Sequence, residues 1–320
     1  MASEAESNLN ATDMGTSSLP GRNVLEIATI RSLSQRSDLQ GLLRFSAHLG
    51  VMGLTGVLVW CALPHWYLLV PAMILHGFTL VTMFAAMHEC VHRTAFATPI
   101  LNEIFGWLAG LLSFYNFTYY RNYHTWHHRF TQDPARDPEL MTPKPRNFFE
   151  YLWEISSIPF WCLRPFMFIR LAMGQTQIYP FVPESARRKI AISAGLQLLV
   201  YVVGIVSIVL GFKWALYFFF LPALLAQPLL RAIVIAEHTG CSLDENGLTN
   251  TRTTLTSFPI RLLMWNMPYH TEHHLYPSIP FYQLPRAHDE IREKLVHLSP
   301  SYIAANRTVI QSLGREYRKE

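Results

Sequence analysis

Four long apolar segments dominate the chain, and they come in two closely spaced pairs. Residues 45–63 and 66–87 form the first pair, and residues 190–210 and 214–236 form the second. Each segment is about long enough to cross roughly 30 Å of hydrocarbon as an α-helix. Because only a few residues separate the members of each pair, the pattern predicts two transmembrane helical hairpins.

Three further segments mix apolar and polar positions, and we expect them at the membrane surface rather than across it. Residues 32–44 place leucines at near-helical spacing among charged residues, as in an interfacial helix. Residues 99–118 are apolar but interrupted by two asparagines and a glutamate, which favours a re-entrant or surface-lying helix. Residues 148–174 combine aromatic rings with charges, a composition typical of the headgroup level.

The composition agrees with a membrane protein. Half of the residues are hydrophobic and 15% are charged, whereas soluble domains carry roughly 25% charged residues. The sequence therefore predicts an all-α integral membrane protein with one membrane domain over residues 41–298. We expect residues 1–40 to form a disordered tail followed by the interfacial helix, and residues 299–320 to form a C-terminal cytosolic tail.

The distribution of positive charge predicts the orientation. Of the 26 lysines and arginines, only Lys213 falls in the two short loops inside the hairpins. The opposite side is therefore expected to be cytosolic by the positive-inside rule. The net charge of +4 favours acidic partners or anionic headgroups at that face. Nothing in the chain indicates binding to nucleic acid.

Three histidine clusters follow the predicted spans on this same side. His88 and His92 are four residues apart, and two HxxHH motifs begin at His124 and His270. On a helix, positions i, i+3 and i+4 share one face, so each triplet directs its imidazoles to one point. Eight neutral nitrogen donors are too many for one metal ion and suit two. Imidazole-rich sites bind iron, zinc or copper, so the histidines alone do not name the metal.

The clusters His88-Glu89-Cys90-Val91-His92, His124-Thr125-Trp126-His127-His128 and His270-Thr271-Glu272-His273-His274 resemble the three histidine boxes of the membrane fatty acid desaturase and hydroxylase superfamily. The resemblance covers about residues 40–295 in order and topology. It implies two iron ions on the cytosolic face, O2 as co-substrate, a lipid substrate, and a separate electron donor, either cytochrome b5 or ferredoxin with its reductase. It also implies an integral, multi-pass location in a bacterial plasma membrane or the endoplasmic reticulum.

The resemblance implies roles at the metal site for two further residues. His238 follows the fourth span and is similar to the extra histidine of the alkane hydroxylases; the alternative is a histidine stabilised by the helix dipole. Asn266 matches an asparagine that precedes the third box and can hold a metal-bound water; the alternative is a turn or cap. The expected metal set is His88, His92, His124, His127, His128, His238, His270, His273, His274 and Asn266.

Several other polar residues have expected roles. Glu89, Glu237 and Glu272 adjoin predicted ligands and could accept their free ring N–H groups, as could Asp133, Asp137 and Glu139 beside the second cluster, although turn formation also explains these last three. His76 is expected to be hydrogen-bonded in the core, and His65 lies on the far side. His48 and His288 are expected to be structural or solvated.

The reaction is less determined than the site. The HxxxH first box resembles acyl-lipid desaturases, which favours fatty acyl desaturation. Glu237-His238-Thr239-Gly240 looks like the alkane hydroxylases, and the segment 269–277 looks like carotenoid ketolases. Lipid hydroxylation, carotenoid ketolation or hydroxylation, and fatty acid decarboxylation therefore stay open. Two alternatives come from other classes: a metalloprotease, because residues 88–92 satisfy HExxH, and a metal carrier.

Overall fold

The computed structural model describes residues 24–314, so most of the predicted N-terminal tail lies outside the described residues. Within this range the regular secondary structure is almost all helical, and four helices are long and apolar enough to cross a membrane. They are Asp38–Ala62, Trp66–Val91, Glu184–Val209 and Leu216–His238. The prediction of two helical hairpins is confirmed.

Each hairpin has one irregular arm. In the first hairpin, α2 (Asp38–Ala62) pairs with α3 (Trp66–Val81), which continues as α4 (Met83–Val91) after a break at Thr82. In the second, α9 (Glu184–Val209) pairs with α10 (Leu221–His238), which a π-helical turn at Leu216–Phe220 precedes. The two hairpin loops lie at the same end, where the rings of Trp60 and Trp214 stack at 5.1 Å.

The predicted extent of the interfacial helix is wrong. The first helix, α1 (Ile27–Leu33), ends before the polar residues 34–37. Residues 38–44, which we expected in the interfacial helix, already belong to α2. The reason is a capping interaction: the Ser37 hydroxyl accepts the backbone N–H of Gln40, and Asp38 lies in the first turn, where a carboxylate is favourable. The first long helix therefore begins seven residues earlier than the apolar pattern indicated.

The apolar segment after the first hairpin is short. The helix α5 (Pro99–Leu112) has 14 residues, or roughly 21 Å, which is less than the roughly 30 Å of a bilayer core. It packs tightly on its neighbours, since a Cβ at Gly106 would lie 2.4 Å from the ring of Phe117 and 2.9 Å from Cys90. This length agrees with the expectation that the segment does not cross.

The remaining helices of the described chain lie around the end opposite the hairpin loops, which we call the histidine end. They are α6 (Phe117–Arg129), α7 (Phe148–Ile155), α8 (Ile158–Ala172), α11 (Phe258–Leu263), α12 (His270–Leu275), α13 (Leu284–Ile291) and α14 (Tyr302–Ser312), with short 3-10 turns at Pro138–Leu140 and Arg292–Lys294. Two short strands, β1 (Thr253–Thr254) and β2 (Leu298–Ser299), pair in parallel.

The C-terminal segment is folded where we expected a tail. Ser301 precedes helix α14 and caps it through its hydroxyl, and the helix buries Ala305 and Val309. The Asn306 amide donates to the carbonyl of Ala232 in α10 at 2.9 Å, and it accepts from the Tyr151 hydroxyl at 2.8 Å. These contacts dock residues 302–312 against the second hairpin.

The two hairpins are in close backbone contact at Gly77. A Cβ at this position would lie 1.8 Å from the carbonyl oxygen of Pro222, so α3 and α10 approach each other without room for any side chain. The preceding residue, the buried His76, lies 3.0 Å from the Thr55 hydroxyl through Nδ1 and donates from Nε2 to the carbonyl of Phe218 at 3.1 Å. The expectation of a hydrogen-bonded core histidine at position 76 is confirmed, and its partner carbonyl belongs to the π-helical turn.

His48 joins the first hairpin to the third histidine cluster. It is fully buried, its Nε2 donates to the carbonyl of Thr79 at 2.9 Å, and its Nδ1 accepts from the indole of Trp265 at 3.3 Å. Trp265 and Asn266 both have positive φ, at 49° and 57°, a backbone conformation that is uncommon outside glycine. His48 therefore fixes a constrained turn four residues before His270.

We expect His48→Ala to destabilise the protein, because it leaves the buried indole N–H of Trp265 without an acceptor. The expected loss is about 1–3 kcal/mol from this group alone, measured as the thermal unfolding midpoint in detergent. His65→Ala is the control, since His65 is exposed at the far end. Equal midpoints for the two variants would contradict this role for His48.

Candidate metal centre

Four helices deliver nine histidines to the histidine end. His88 lies in the last turn of α4 and His92 caps that helix. Helix α6 starts at Asn116, whose side chain accepts the N–H of Tyr119 at 2.8 Å, and it places His124, His127 and His128 on one face. His238 is the last residue of α10, and α12 carries His270, His273 and His274.

The nine imidazoles form two adjoining groups. The first group contains His88, His92, His124, His128 and His273, and the second contains His127, His238 and His274. In each group, one nitrogen from every ring lies within 4.8 Å of the others. His270 joins the second group, because its Nε2 is 3.1 Å from Nε2 of His238. The groups meet where the rings of His128 and His274 stack at 4.0 Å.

The contacts inside each group are those of converging metal ligands. The Nε2 atom of His128 lies 2.9 Å from Nε2 of His124 and 3.1 Å from Nε2 of His273. The buried Nε2 atoms of His88, His92 and His274 have no hydrogen-bond partner in the described structure. Buried polar atoms are rarely left unpaired, and a cation at each centre would satisfy these lone pairs. The donor set of five and four imidazoles therefore fits two metal ions.

Burial keeps these rings in the neutral form that binds metal. Burial first, and then the neighbouring His127, lower the pKa of His92 to about 3. Burial, and after it neighbouring histidines, hold the pKa values of five others well below the ordinary range. These five are His124, His128, His270, His273 and His274. Neutral imidazole is the ligating species, so the rings are already prepared for metal near neutral pH.

His127 differs because carboxylates surround it. Burial opposes protonation of His127, but Glu139 and Asp137 outweigh burial and raise its pKa. Asp137 Oδ1 accepts from Nδ1 of His127 at 2.9 Å, and its other oxygen accepts the backbone N–H of Gln132 at 2.7 Å. Asp137 thus holds His127 in the tautomer whose Nε2 faces the second group, 3.3 Å from Nε2 of His238.

The other carboxylates have different partners. Glu272 is fully buried and lies between Nδ1 of His288 and the hydroxyl of Thr253, so it braces α12 against α13 and β1. Glu89 accepts the backbone N–H of Phe281 at 3.0 Å. Glu237 approaches Nε2 of His270 at 3.7 Å. The contact between Glu272 and His288 joins residues 16 apart, and no local sequence signal predicted it.

Asn266 lies outside both histidine groups. Its amide donates to the carbonyl of Phe281 at 2.9 Å. His65 is at the opposite end of the first hairpin, as expected.

A cavity of about 530 Å³ reaches His238 from the side of α6, α8 and α10. Its wall includes five tyrosines, Tyr115, Tyr119, Tyr120, Tyr123 and Tyr179. The ring of Tyr120 stacks on His124 at 5.1 Å and so links the cavity to the first histidine group. Sequence reasoning missed this cavity; the run of tyrosines just before His124 was the available signal.

Residues 64–306 match the family model described as "Fatty acid desaturase". The chain belongs to the fatty acid desaturase family. It is 27% identical over 209 residues to a sphingolipid delta(4)-desaturase DES1-like protein of Arabidopsis thaliana, covering 62% of this chain and 55% of that relative. It is 25% identical over 268 residues to an sn-1 oleoyl-lipid 12-desaturase of Picosynechococcus, covering 77% and 75%.

A third relative broadens the chemistry found among these desaturases. The sphingolipid delta(4)-desaturase/C4-monooxygenase DES2 of Mus musculus is 28% identical over 251 residues, covering 75% of this chain and 69% of that protein. The chain spans between about half and three quarters of the length of these three relatives.

We expect Asp137→Ala to weaken metal binding about 10- to 100-fold, the usual effect of removing a carboxylate that orients a ligating histidine. The measurement is retention of ferrous ion against a competing chelator. Asp133→Ala is the control, because Asp133 lies on the same loop but pairs with Arg136. Similar metal loss from both variants would contradict the orienting role of Asp137.

Proposed function

We propose that this protein is an O2-dependent, di-iron membrane enzyme that introduces a double bond into the acyl chain of a lipid. One observation carries the proposal: nine imidazoles, seven of them buried, form two adjoining groups beside a cavity, in a chain of the fatty acid desaturase family. Iron at both groups agrees with a donor set made of imidazole.

The proposed ligands divide between the two ions. His88, His92, His124, His128 and His273 would hold one ion, and His127, His238, His270 and His274 would hold the other. When bound, the two ions would supply the activation of O2 that the oxidation of an unactivated C–H bond requires. The predicted contribution of Asn266 through a metal-bound water stays a proposal.

The protein itself positions the groups and excludes water. The helix faces of α6 and α12 fix the direction of six imidazoles, and Asp137 fixes the tautomer of His127. The cavity wall next to His238 is mainly aromatic and aliphatic, so it can hold an acyl chain and keep solvent from the reacting carbons. Desaturation balances as one O2, two electrons, two protons and one CH2–CH2 unit giving CH=CH and two waters.

Hydroxylation at the same site is the second candidate. The name of the mouse relative joins a desaturase and a monooxygenase activity, which shows that one protein of this family can carry both. Ketolation and decarboxylation would use the same ligands, and no contact in the structure favours them. The names of the other relatives, all desaturases, support desaturation as the main reaction.

The rival classes have less support. In a protease, Glu89 would act as the base beside His88 and His92, but its carboxylate accepts the N–H of Phe281, and the two histidines join a group of five. A metal carrier would need ligands along the spans, whereas the histidine groups collect at one end of the bundle.

We further propose that the histidine end faces the cytosol of a bacterial plasma membrane or of the endoplasmic reticulum. The concentration of lysine and arginine on that side supports this orientation. Electrons would arrive from a separate carrier, cytochrome b5 or ferredoxin with its reductase, as the resemblance of the histidine boxes implies.

Incubation of the reduced protein with ¹⁸O2 and membrane lipid tests the reaction. Desaturation is expected to lower the product mass by two hydrogens and to place the label in water alone. The measurement is mass spectrometry of the lipid. Label in the lipid would contradict desaturation and support the hydroxylase or ketolase branch.

The metal assignment is tested by replacing single histidines. We expect about two iron ions per chain in the purified protein, and a lower iron content together with loss of most activity in His128→Ala or His274→Ala, because each variant removes a ligand where the two groups meet. The measurement is metal analysis, with His65→Ala as the unaffected control. Stoichiometric zinc in a fully active preparation would contradict the di-iron proposal.

A further inference from the structure

The cavity beside the histidines contains charged side chains in addition to its aromatic wall. Its lining includes three cations, Lys144, Arg164 and Arg231, and two acids, Glu139 and Glu154. A cavity that held only a hydrocarbon chain would need none of these charges, and burying them costs free energy unless they are paired.

Two of the cations already have polar partners. Arg231 forms an ion pair with Glu154, which joins α10 to α7. The Lys144 ammonium donates to the side-chain oxygen of Gln132 at 2.9 Å. Glu139 lies 3.8 Å from Nε2 of His127 and raises the pKa of that ring. These four residues are therefore engaged by the protein itself.

Arg164 is different. Its guanidinium lies over the rings of Phe160 at 4.0 Å and Tyr115 at 4.4 Å. Its hydrogen bond is a long one, 3.7 Å to the sulfur of Met167. Within residues 24–314, no carboxylate approaches Arg164 to within 4 Å. Removal from water lowers the pKa of Arg164, which agrees with a cation that the protein has not neutralised.

A short chain of rings connects Arg164 to the proposed metal ligands. Tyr115, below the guanidinium, lies 5.9 Å from Tyr120 between ring centres. Tyr120 in turn stacks on His124 at 5.1 Å, with its hydroxyl 3.3 Å from Nδ1 of that ring. The unpaired cation is thus two aromatic rings away from the first histidine group, on the wall of the same cavity.

We propose that Arg164 binds an anionic group of the lipid substrate, a carboxylate or a phosphate, and so fixes the polar end of the substrate in the cavity. A guanidinium presents N–H groups in a planar fork that matches either anion with two parallel hydrogen bonds. The rings of Phe160 and Tyr115 hold this fork in place by cation–π contact before the substrate arrives. The inference rests on the proposed function for the identity of the lipid, but the binding itself can be measured without turnover.

The test compares the affinities of four ligands with an 18-carbon saturated chain for the iron-loaded protein in an uncharged detergent. Stearate and stearoyl lysophosphatidate carry the two candidate anions, and methyl stearate and stearyl alcohol are neutral. We expect at least one anion to bind about tenfold or more tightly than both neutral ligands, which is a difference of about 1.4 kcal/mol. Preference for stearate alone would indicate a free fatty acid, and preference for the lysophosphatidate alone would indicate a phospholipid.

Substitutions assign any preference to Arg164. Arg164→Gln is expected to remove it, Arg164→Lys is expected to retain part of it, and Arg170→Gln, an exposed arginine on the same helix, is expected to leave it unchanged. Equal affinities for all four ligands in the unaltered protein would overturn the proposal, as would a preference that survives in Arg164→Gln. If Arg164→Gln does not fold, the proposal is still tested by the affinities of the four ligands for the unaltered protein and for Arg164→Lys.

The outcomes also separate this inference from the proposed reaction. Desaturation of a neutral lipid with no preference for anions would leave the reaction in place and remove the role of Arg164. Binding of anions that depends on Arg164, without any desaturation, would retain the subsite and remove the reaction.

Discussion

The structure depends on holding nine imidazoles around two points, seven of them buried and two, His92 and His128, partly buried. Each neutral ring has a nitrogen lone pair that must face the centre of its histidine group. Protonation of one ring would place a cation among the neighbouring rings. Burial favours the neutral form of these rings. The protein can bury them only because four separate helices end at the same level, and the short loops of both hairpins return the chain to that level.

The partners of the histidines matter as much as the histidines themselves. Asp137 fixes the ring of His127 by accepting its Nδ1–H, and Glu272 braces the helix that carries His270, His273 and His274. His48 acts from a greater distance, because it holds Trp265 in the constrained turn before α12. The geometry of the site is therefore set by contacts between residues that are far apart in the chain, such as His48 and Trp265.

Much of this architecture could be predicted from the sequence, because its signals are periodic and local. Hydropathy predicted the four spans, and the spacing of His124, His127 and His128 predicted a shared helix face. The capping of α2 by Ser37 and the docking of α14 through Asn306 were missed, since neither changes the hydropathy pattern. The contact of Glu272 with His288 and the exposure of Arg164 to the cavity arise only when distant helices pack, so no motif predicts them.

The contact at Gly77 gives the two hairpins a common pivot. The helix that contains Gly77 continues to His88, about three turns away, and the helix of Pro222 continues to His238. Because no atom fits between the two backbones at this point, a wedge as small as a methyl group would tilt one helix against the other. The tilt would be magnified along both lever arms, and it would separate ligands of the two proposed ions without altering any histidine. The spacing of the two proposed ions would therefore depend partly on the absence of a side chain at position 77.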